Sequence, residues 1–326
     1  MRVVVIGATG HVGGYLIPDL VASGHEVVAV SRNARPRYRQ HDAWDSVEHV
    51  VIDRDAAERA GTFAEDIASL NGDVVVDMIC FTPDSAQHLV DGLRGRVLRL
   101  IMCSTIWVKG RLASVPADED VVSEPWGDYG IDKAAIEEIL RLESLRPGGL
   151  RSTVIRPGQI CGPGWAVINP QGHGGLEVWE TIAAGEPVAL PNFGLETLHH
   201  VHASDVAQAF QLAIERETAP AFDVFNAVAA RASNLRGLAA AIATRFGREV
   251  AFEFVPFEAF RERVSPTQAS TSFEHISRSQ VMSIERARTE LGYRPRYSAE
   301  DAVAESVGWL CESGMLSAKA ASRWLG

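Results

Sequence analysis

Three segments of this 326-residue chain carry side chains whose types and spacing suit chemistry at a carbon–oxygen bond. In Tyr129-Gly130-Ile131-Asp132-Lys133 a phenol and an ammonium stand four residues apart, hence on one face of a helix. A lysine charge nearby lowers a tyrosine pKa, and tyrosinate can take or return the proton of an alcohol while hydride moves. Ser104-Thr105 closes an apolar run, where the Thr105 hydroxyl can donate to the same oxygen. Gly7-Ala8-Thr9-Gly10-His11-Val12-Gly13 places glycines at i, i+3 and i+6 directly after Val3-Val4-Val5-Ile6. Glycine there permits positive φ, close backbone approach to a pyrophosphate and close packing of helix on strand. The helix N-terminus that follows offers N–H groups and partial positive charge to phosphates. Gly7, Thr9, Gly10, His11, Val12 and Gly13 are therefore the expected dinucleotide cradle.

These groups need a scaffold, and the first half of the chain supplies its pattern. Apolar, β-branched runs at Arg2–Ile6, Glu26–Val30, His49–Ile52, Asp73–Ile79, Val97–Met102 and Ser152–Ile155 read as strands buried on both faces. Helical periodicity falls between them, at Val12–Ser23, Thr62–Leu70, Asp84–Leu93 and Tyr129–Leu145. Alternation of this kind predicts an α/β fold, a Rossmann-type doubly wound parallel sheet. Later helices are expected at Leu176–Ala184, Ser204–Arg216, Leu235–Phe246 and Ala299–Glu312, with a strand at Ala221–Asn226 and an irregular polar stretch over Phe257–Ser283. The expected division is a dinucleotide-binding domain of residues 1–165 with a returning segment 204–228, and a smaller C-terminal substrate lobe of 166–203 and 229–326.

The second strand ends at Val30-Ser31-Arg32, without the acidic residue that would hold the ribose 2′-OH of NAD. Arginine pairs bidentately with phosphate, so Ser31, Arg32 and Arg35 favour NADP over NAD. Asp53, after the third strand, is placed for the adenine edge.

With these segments in order, the sequence resembles the extended short-chain dehydrogenase/reductase superfamily, in its NAD-dependent epimerase/dehydratase group, over nearly the whole chain. The supporting segments are Gly7–Gly13, Ser104-Thr105, Tyr129–Lys133, Arg156-Pro157-Gly158 with Gly162-Pro163-Gly164, Val201–Val206 and Leu291-Gly292-Tyr293-Arg294-Pro295. The resemblance implies Tyr129 as general acid/base, Lys133 on the nicotinamide ribose, Thr105 orienting the reacting oxygen, and Ile79, Cys80 and Arg156 beside the cofactor. It places substrate contacts near Trp165 and Asn169, and it implies a homodimer through the helices Asp84–Leu93 and Ile131–Leu145. Departures narrow the reaction. Ile106-Trp107 replaces the Asp-Glu pair of sugar-nucleotide dehydratases, and Ile79-Cys80-Phe81 narrows the space near the nicotinamide. Leu198–His202 lacks an arginine that several epimerases use on the substrate pyrophosphate. Phe81, Trp107, His200 and Arg278 complete the candidate substrate residues.

A net charge of −11 repels a phosphate backbone, so nucleic acid is not an expected partner. No apolar run reaches the roughly 18 residues of a membrane span. Four cysteines far apart point to free thiols in the cytoplasm. His199, His200 and His202 lack acidic or thiol partners at ligand spacing, so no metal is expected. The expected function is an NAD(P)-dependent oxidoreductase or epimerase moving hydride at a secondary alcohol or ketone of a small substrate, sugar and nucleotide-sugar included. The alternative is a redox-inert protein that keeps the dinucleotide fold to bind RNA or a protein partner.

Overall fold

The computed structural model describes residues 1–32 and 39–325. Seven strands form the central sheet: β1 (Arg2–Ile6), β2 (Glu26–Ser31), β3 (Glu48–Val51), β4 (Val74–Asp77), β5 (Arg99–Cys103), β6 (Ser152–Pro157) and, much later, β11 (Phe222–Ala227). Their order is β3-β2-β1-β4-β5-β6-β11, parallel throughout. The reversal of strand order falls between β1 and β4, where the carboxyl ends of open α/β sheets form their crevice.

The apolar runs explain the sheet. Val3 and Val5 enter one core with Leu16, Ile17 and Leu20 of α1 (Gly13–Ala22) and Phe210 of α7 (Ala203–Glu215). Val4 and Ile6 enter the opposite core with Phe63 of α3 (Phe63–Ala68), Leu89 of α4 (Pro83–Leu93) and Ile136 of α5 (Asp128–Ser144). Successive side chains of a strand face opposite sides, so only a continuous apolar run fills both layers. This is the doubly wound Rossmann-type fold.

A third core gathers Val178, Trp179 and Ile182 of α6 (Glu177–Ala184), Leu238 and Ile242 of α8 (Leu235–Arg245), and Val303 and Val307 of α11 (Ala299–Glu312). Short strands cross this half: β7 (Gln159–Cys161) pairs with β10 (His200–His202), β9 (Thr197–Leu198) with β12 (Ser233–Asn234), and β8 (Val188–Pro191) with β13 (Phe252–Val255).

Three helices escape the sequence pattern. The stretch Phe257–Ser283, expected to be irregular, contains α9 (Phe257–Phe260) and α10 (Pro266–Ile276). The start of α10 is a capping box, with Ser265 and Gln268 exchanging backbone and side-chain bonds and Pro266 in the first turn. Its polar outer face hid the helical period. The helix α2 (Arg54–Ala60) is also additional, and Asp53 caps it by accepting from the Ala56 N–H at 2.9 Å.

Candidate active site

The glycine turn lies where β1 gives way to α1. Gly7 has φ 82°, and a Cβ there would lie 2.9 Å from Cγ2 of Ile79. At Gly13 a Cβ would come within 2.0 Å of the Ala8 carbonyl oxygen, so helix and turn pack at a distance only glycine permits. No side chain caps α1 at Val12, and its first turn holds no acidic residue. A helix start left in that condition, behind a turn stripped of Cβ atoms, fits a dinucleotide pyrophosphate. Neighbouring side chains close the turn on its far side: the His11 ring stacks on Trp165, with centroids 5.6 Å apart and planes 10° from parallel.

Around the adenosine end, the Ser31 hydroxyl lies 2.7 Å from Nε2 of His49, and Arg32 is exposed. Asp53 is exposed at the start of α2. Arg35 lies outside the described residues.

At the carboxyl ends of β4 and β5 the proton-handling groups meet. Lys133 is 1% exposed. Its Nζ donates to the carbonyls of Cys80 at 2.6 Å and Cys103 at 2.7 Å, so it ties the two strand ends together from α5. Tyr129, one helical turn earlier, lies close enough to the Thr105 side chain for that hydroxyl to favour the ionised phenol. Thr105 is buried and also accepts from the Trp107 N–H at 3.2 Å. The Phe81 ring, 53% exposed, has the Lys133 ammonium 5.0 Å from its centroid. Thr105, Tyr129, Lys133, Cys80 and Phe81 thus share one locus, with Ile79 against the glycine turn beside it.

One expectation about this locus changes. The lysine was to lower the phenol pKa, whereas burial raises it, Cys103 adding to the rise and the Thr105 hydrogen bond opposing it. The reason is geometric: the Lys133 ammonium lies 5.8 Å from the Tyr129 ring centroid and directs its N–H groups at two carbonyls. The phenol, 41% exposed, is thus protonated at neutral pH.

Four further residues have buried partners within the protein. Arg156 pairs with Glu137 of α5 through Nε at 2.9 Å and Nη2 at 2.5 Å, buried on the α5 face of the sheet. Asn169 is fully buried: its amide donates to the Gly175 carbonyl at 2.9 Å and its oxygen accepts from the Gln171 N–H at 2.8 Å, inside its own loop. His200 is fully buried, donates from Nε2 to the Ile168 carbonyl at 2.9 Å, and is held neutral by burial, which lowers its pKa to about 3. Arg278 is nearly sealed from solvent and pairs with Glu274 at 2.7 Å. Each has at least one hydrogen-bond partner inside the protein.

Two neighbours of the site carried only faint signals in the sequence. Trp126-Gly127 precedes α5, where Gly127 has φ 75°; an aromatic followed by glycine just ahead of a helix could have drawn attention. His275 of α10 meets Trp107 edge-on with centroids 5.0 Å apart and donates from Nδ1 to the Thr271 carbonyl at 2.9 Å, which leaves Nε2 as an acceptor.

Known proteins share this architecture. The model of the NAD dependent epimerase/dehydratase family matches residues 3–227. The chain is 27% identical over 209 residues to 2'-dehydrokanamycin reductase of Streptomyces kanamyceticus, a match spanning 64% of this chain and 56% of that one. It is 25% identical over 322 residues to the chloroplast stem-loop binding protein of 41 kDa b of Arabidopsis thaliana, covering 94% of this chain and 78% of the other. Its fold is that of the UDP-glucose 4-epimerase of Thermotoga maritima, with a TM-score of 0.71 over 96% of this chain and 99% of that one at 21% identity. By its matched residues, its doubly wound sheet and its glycine turn, the chain belongs to the NAD dependent epimerase/dehydratase family of enzymes.

Proposed function

We propose that this protein is an NAD(P)-dependent oxidoreductase or epimerase acting at a secondary alcohol or ketone of a small substrate of sugar or nucleotide-sugar type. The observation that carries the reading is the Tyr129 phenol next to Thr105 and the buried Lys133 at the ends of β4 and β5. The bound dinucleotide supplies the hydride acceptor and donor. Tyr129 gives its proton to the oxygen of a carbonyl substrate and recovers it from the alcohol in the reverse direction. Thr105 orients that oxygen, and Lys133, with two of its three N–H bonds fixed on Cys80 and Cys103, has one left for a ribose hydroxyl. Gly7 through Gly13 take the pyrophosphate and Asp53 the adenine edge.

The same reading favours NADP, because Ser31 and Arg32 stand where a carboxylate would select the free 2′-hydroxyl. It assigns residues 1–165 and 204–228 to dinucleotide binding and the remainder to substrate. It takes the protein as a cytoplasmic homodimer; the four unpaired cysteines support that compartment, and exposed Ile131 and Leu142 on α5, with exposed Leu145 capping its end, support that contact. A redox-inert binding protein is the second reading, favoured by the length of the match to the chloroplast stem-loop binding protein. The net charge of −11 opposes it.

The test offers NADPH or NADH with a panel of ketones, and NADP or NAD with secondary alcohols and UDP-glucose, while following nicotinamide absorbance. Tyr129→Phe is expected to lose about 10²- to 10⁴-fold in turnover while retaining dinucleotide affinity. Unchanged turnover in that variant overturns the reading, and absence of turnover with dinucleotide bound favours the binding protein. Arg32→Ala should weaken NADP more than NAD; equal weakening removes the NADP preference.

A further inference from the structure

The wall beside Tyr129 is a stack of alternating arginines and tryptophans. The exposed Arg111 guanidinium lies 4.0 Å from the Trp126 ring centroid. The Arg278 guanidinium lies 4.4 Å from the Trp126 ring centroid and 3.8 Å from that of Trp107. Trp107 then meets the Tyr129 ring edge-on, at 6.0 Å and 77°. Within the stack, Arg278 is committed almost completely. Nη1 donates to the Glu274 carboxylate at 2.7 Å and to its backbone carbonyl at 2.5 Å, and Nη2 donates to the Trp126 carbonyl at 2.5 Å. Its charge is answered by Glu274, and 1% of its side chain is accessible. This guanidinium is built into the protein, and it faces indole planes.

The backbone has given way to admit it. A Cβ on Gly127, the residue that opens α5, would lie 2.9 Å from Nη2 of Arg278 and 3.3 Å from the Glu274 carboxylate. Tyr129 follows two residues later. A Cβ on Gly130 would lie 2.9 Å from the Trp107 carbonyl oxygen, so Trp107 also rests on the turn of α5 that bears the phenol. The Trp107 N–H meanwhile bonds Thr105. Arg278 therefore touches the start of the tyrosine's helix and the indole of Trp107, the residue whose ring meets Tyr129 and whose backbone N–H bonds Thr105.

We infer that Arg278 is a positioning residue for Tyr129, acting through Trp107 by planar stacking and not by presenting charge to a substrate. The inference rests on the reading of Tyr129 as the proton-carrying group. Cation–π contact is stronger where the partners are desolvated, and a guanidinium, unlike an ammonium, presents a plane that can be held between two indoles. A displacement of reacting groups by about 1 Å can cost about 10²-fold in rate, so an anchor outside the reacting set can control turnover.

Charged and titratable groups around the phenol are Lys133 on its own helix, Cys103 on β5, and His275, Glu274 and Arg278 of the α10 region behind Trp107. The experiment titrates Tyr129 by near-ultraviolet difference absorption, with Tyr129→Phe subtracted, in the full chain and in Arg278→Ala and Arg278→Lys. Loss of the clamp loosens the indole packed edge-on against the phenol and uncovers that side of the ring, so in both variants the phenol should titrate at lower pH, nearer its ordinary value. With NADPH and a ketone that wild type reduces and Tyr129→Phe does not, kcat should fall about 10- to 100-fold with KM within about threefold. Wild-type titration in Arg278→Lys overturns the inference in favour of a charge role, and so does an unmoved titration in both variants. A raised KM at unchanged kcat overturns it in favour of substrate binding. If Arg278→Ala does not fold, Trp126→Leu replaces it, removing the outer plane; a smaller shift in the same direction is expected, and none overturns the inference. Turnover retained in Tyr129→Phe would defeat the functional reading instead, while the titration still decides the clamp.

Discussion

The glycine turn and the aromatic wall flank the same crevice but are built in opposite ways. The turn is made by backbone from seven consecutive residues, and its defining contacts are places where a Cβ cannot exist, such as Gly13 against the Ala8 carbonyl. The wall is made by side chains from three distant segments: Trp107 after β5, Trp126-Gly127 before α5, and His275 to Arg278 at the end of α10. Steric exclusion fails all at once when one atom is added. Stacking loosens by degrees, because each plane contributes separately. The turn should therefore be brittle and the wall tunable.

The largest effect that could break this contrast is Gly13→Ala. Its new Cβ meets backbone, with no side chain to move aside, so a loss of at least about 3 kcal/mol is expected, together with dinucleotide binding. Denaturant unfolding and NADPH fluorescence titration would read both. An ordinary melting curve with intact binding would show that the turn is no more brittle than the wall. Next comes Trp107→Leu, expected to lower turnover by about 10- to 100-fold while the protein keeps its far-ultraviolet dichroism and its affinity for NADPH. Collapse of the fold in that variant would make the wall structural.

The seam between the regions supplies a pH test. His11 of the turn and His202 of β10 are held neutral, burial lowering each to about 4. An unfolded histidine titrates near 6.5, so below that pH the unfolded chain binds more protons than the folded one. Stability conferred by the neutral rings is complete above about pH 6.5 and is lost as pH falls toward 4, at up to about 1.4 kcal/mol per pH unit for each ring. Melting temperatures between pH 7 and pH 4 would show the decline, and His202→Gln should flatten it. An identical slope in that variant would remove His202 from the account. The smallest effect is expected at Gly14→Ala, one residue beyond the brittle position. Among the described residues a Cβ there has only the Arg39 Cβ within 4 Å, at 3.9 Å, so the change should stabilise α1 by up to about 1 kcal/mol. Destabilisation instead would mean that the steric boundary runs deeper into the helix.

Legibility in the sequence follows the same divide. Six apolar runs and the helices between them predicted six strands of the sheet to within a few residues, because burial on both faces forces an uninterrupted pattern that short segments display by themselves. Tyr129, Lys133 and Thr105 stood out because helical spacing and a strand end are local facts. Arg156, Asn169, His200 and Arg278 were expected at the site, and each is instead satisfied by a partner 6 to 32 positions or a single helical turn away. A side chain's type reveals that it needs a partner and does not reveal which partner takes it. The helix α10 was missed because its buried face is only Ala269, Ser272 and Ile276, too small and polar a stripe to show a period.

The sequence by itself determined the strand–helix alternation, the glycine turn and the pairing of Tyr129 with Lys133 on one helix, since each depends on residues within a few positions of one another. Only the tertiary structure decided that Lys133 bonds the ends of β4 and β5, that the phenol keeps its proton, and that Arg278 lies between two indoles. Those outcomes depend on which distant groups are desolvated together, and burial is a property of the packed chain.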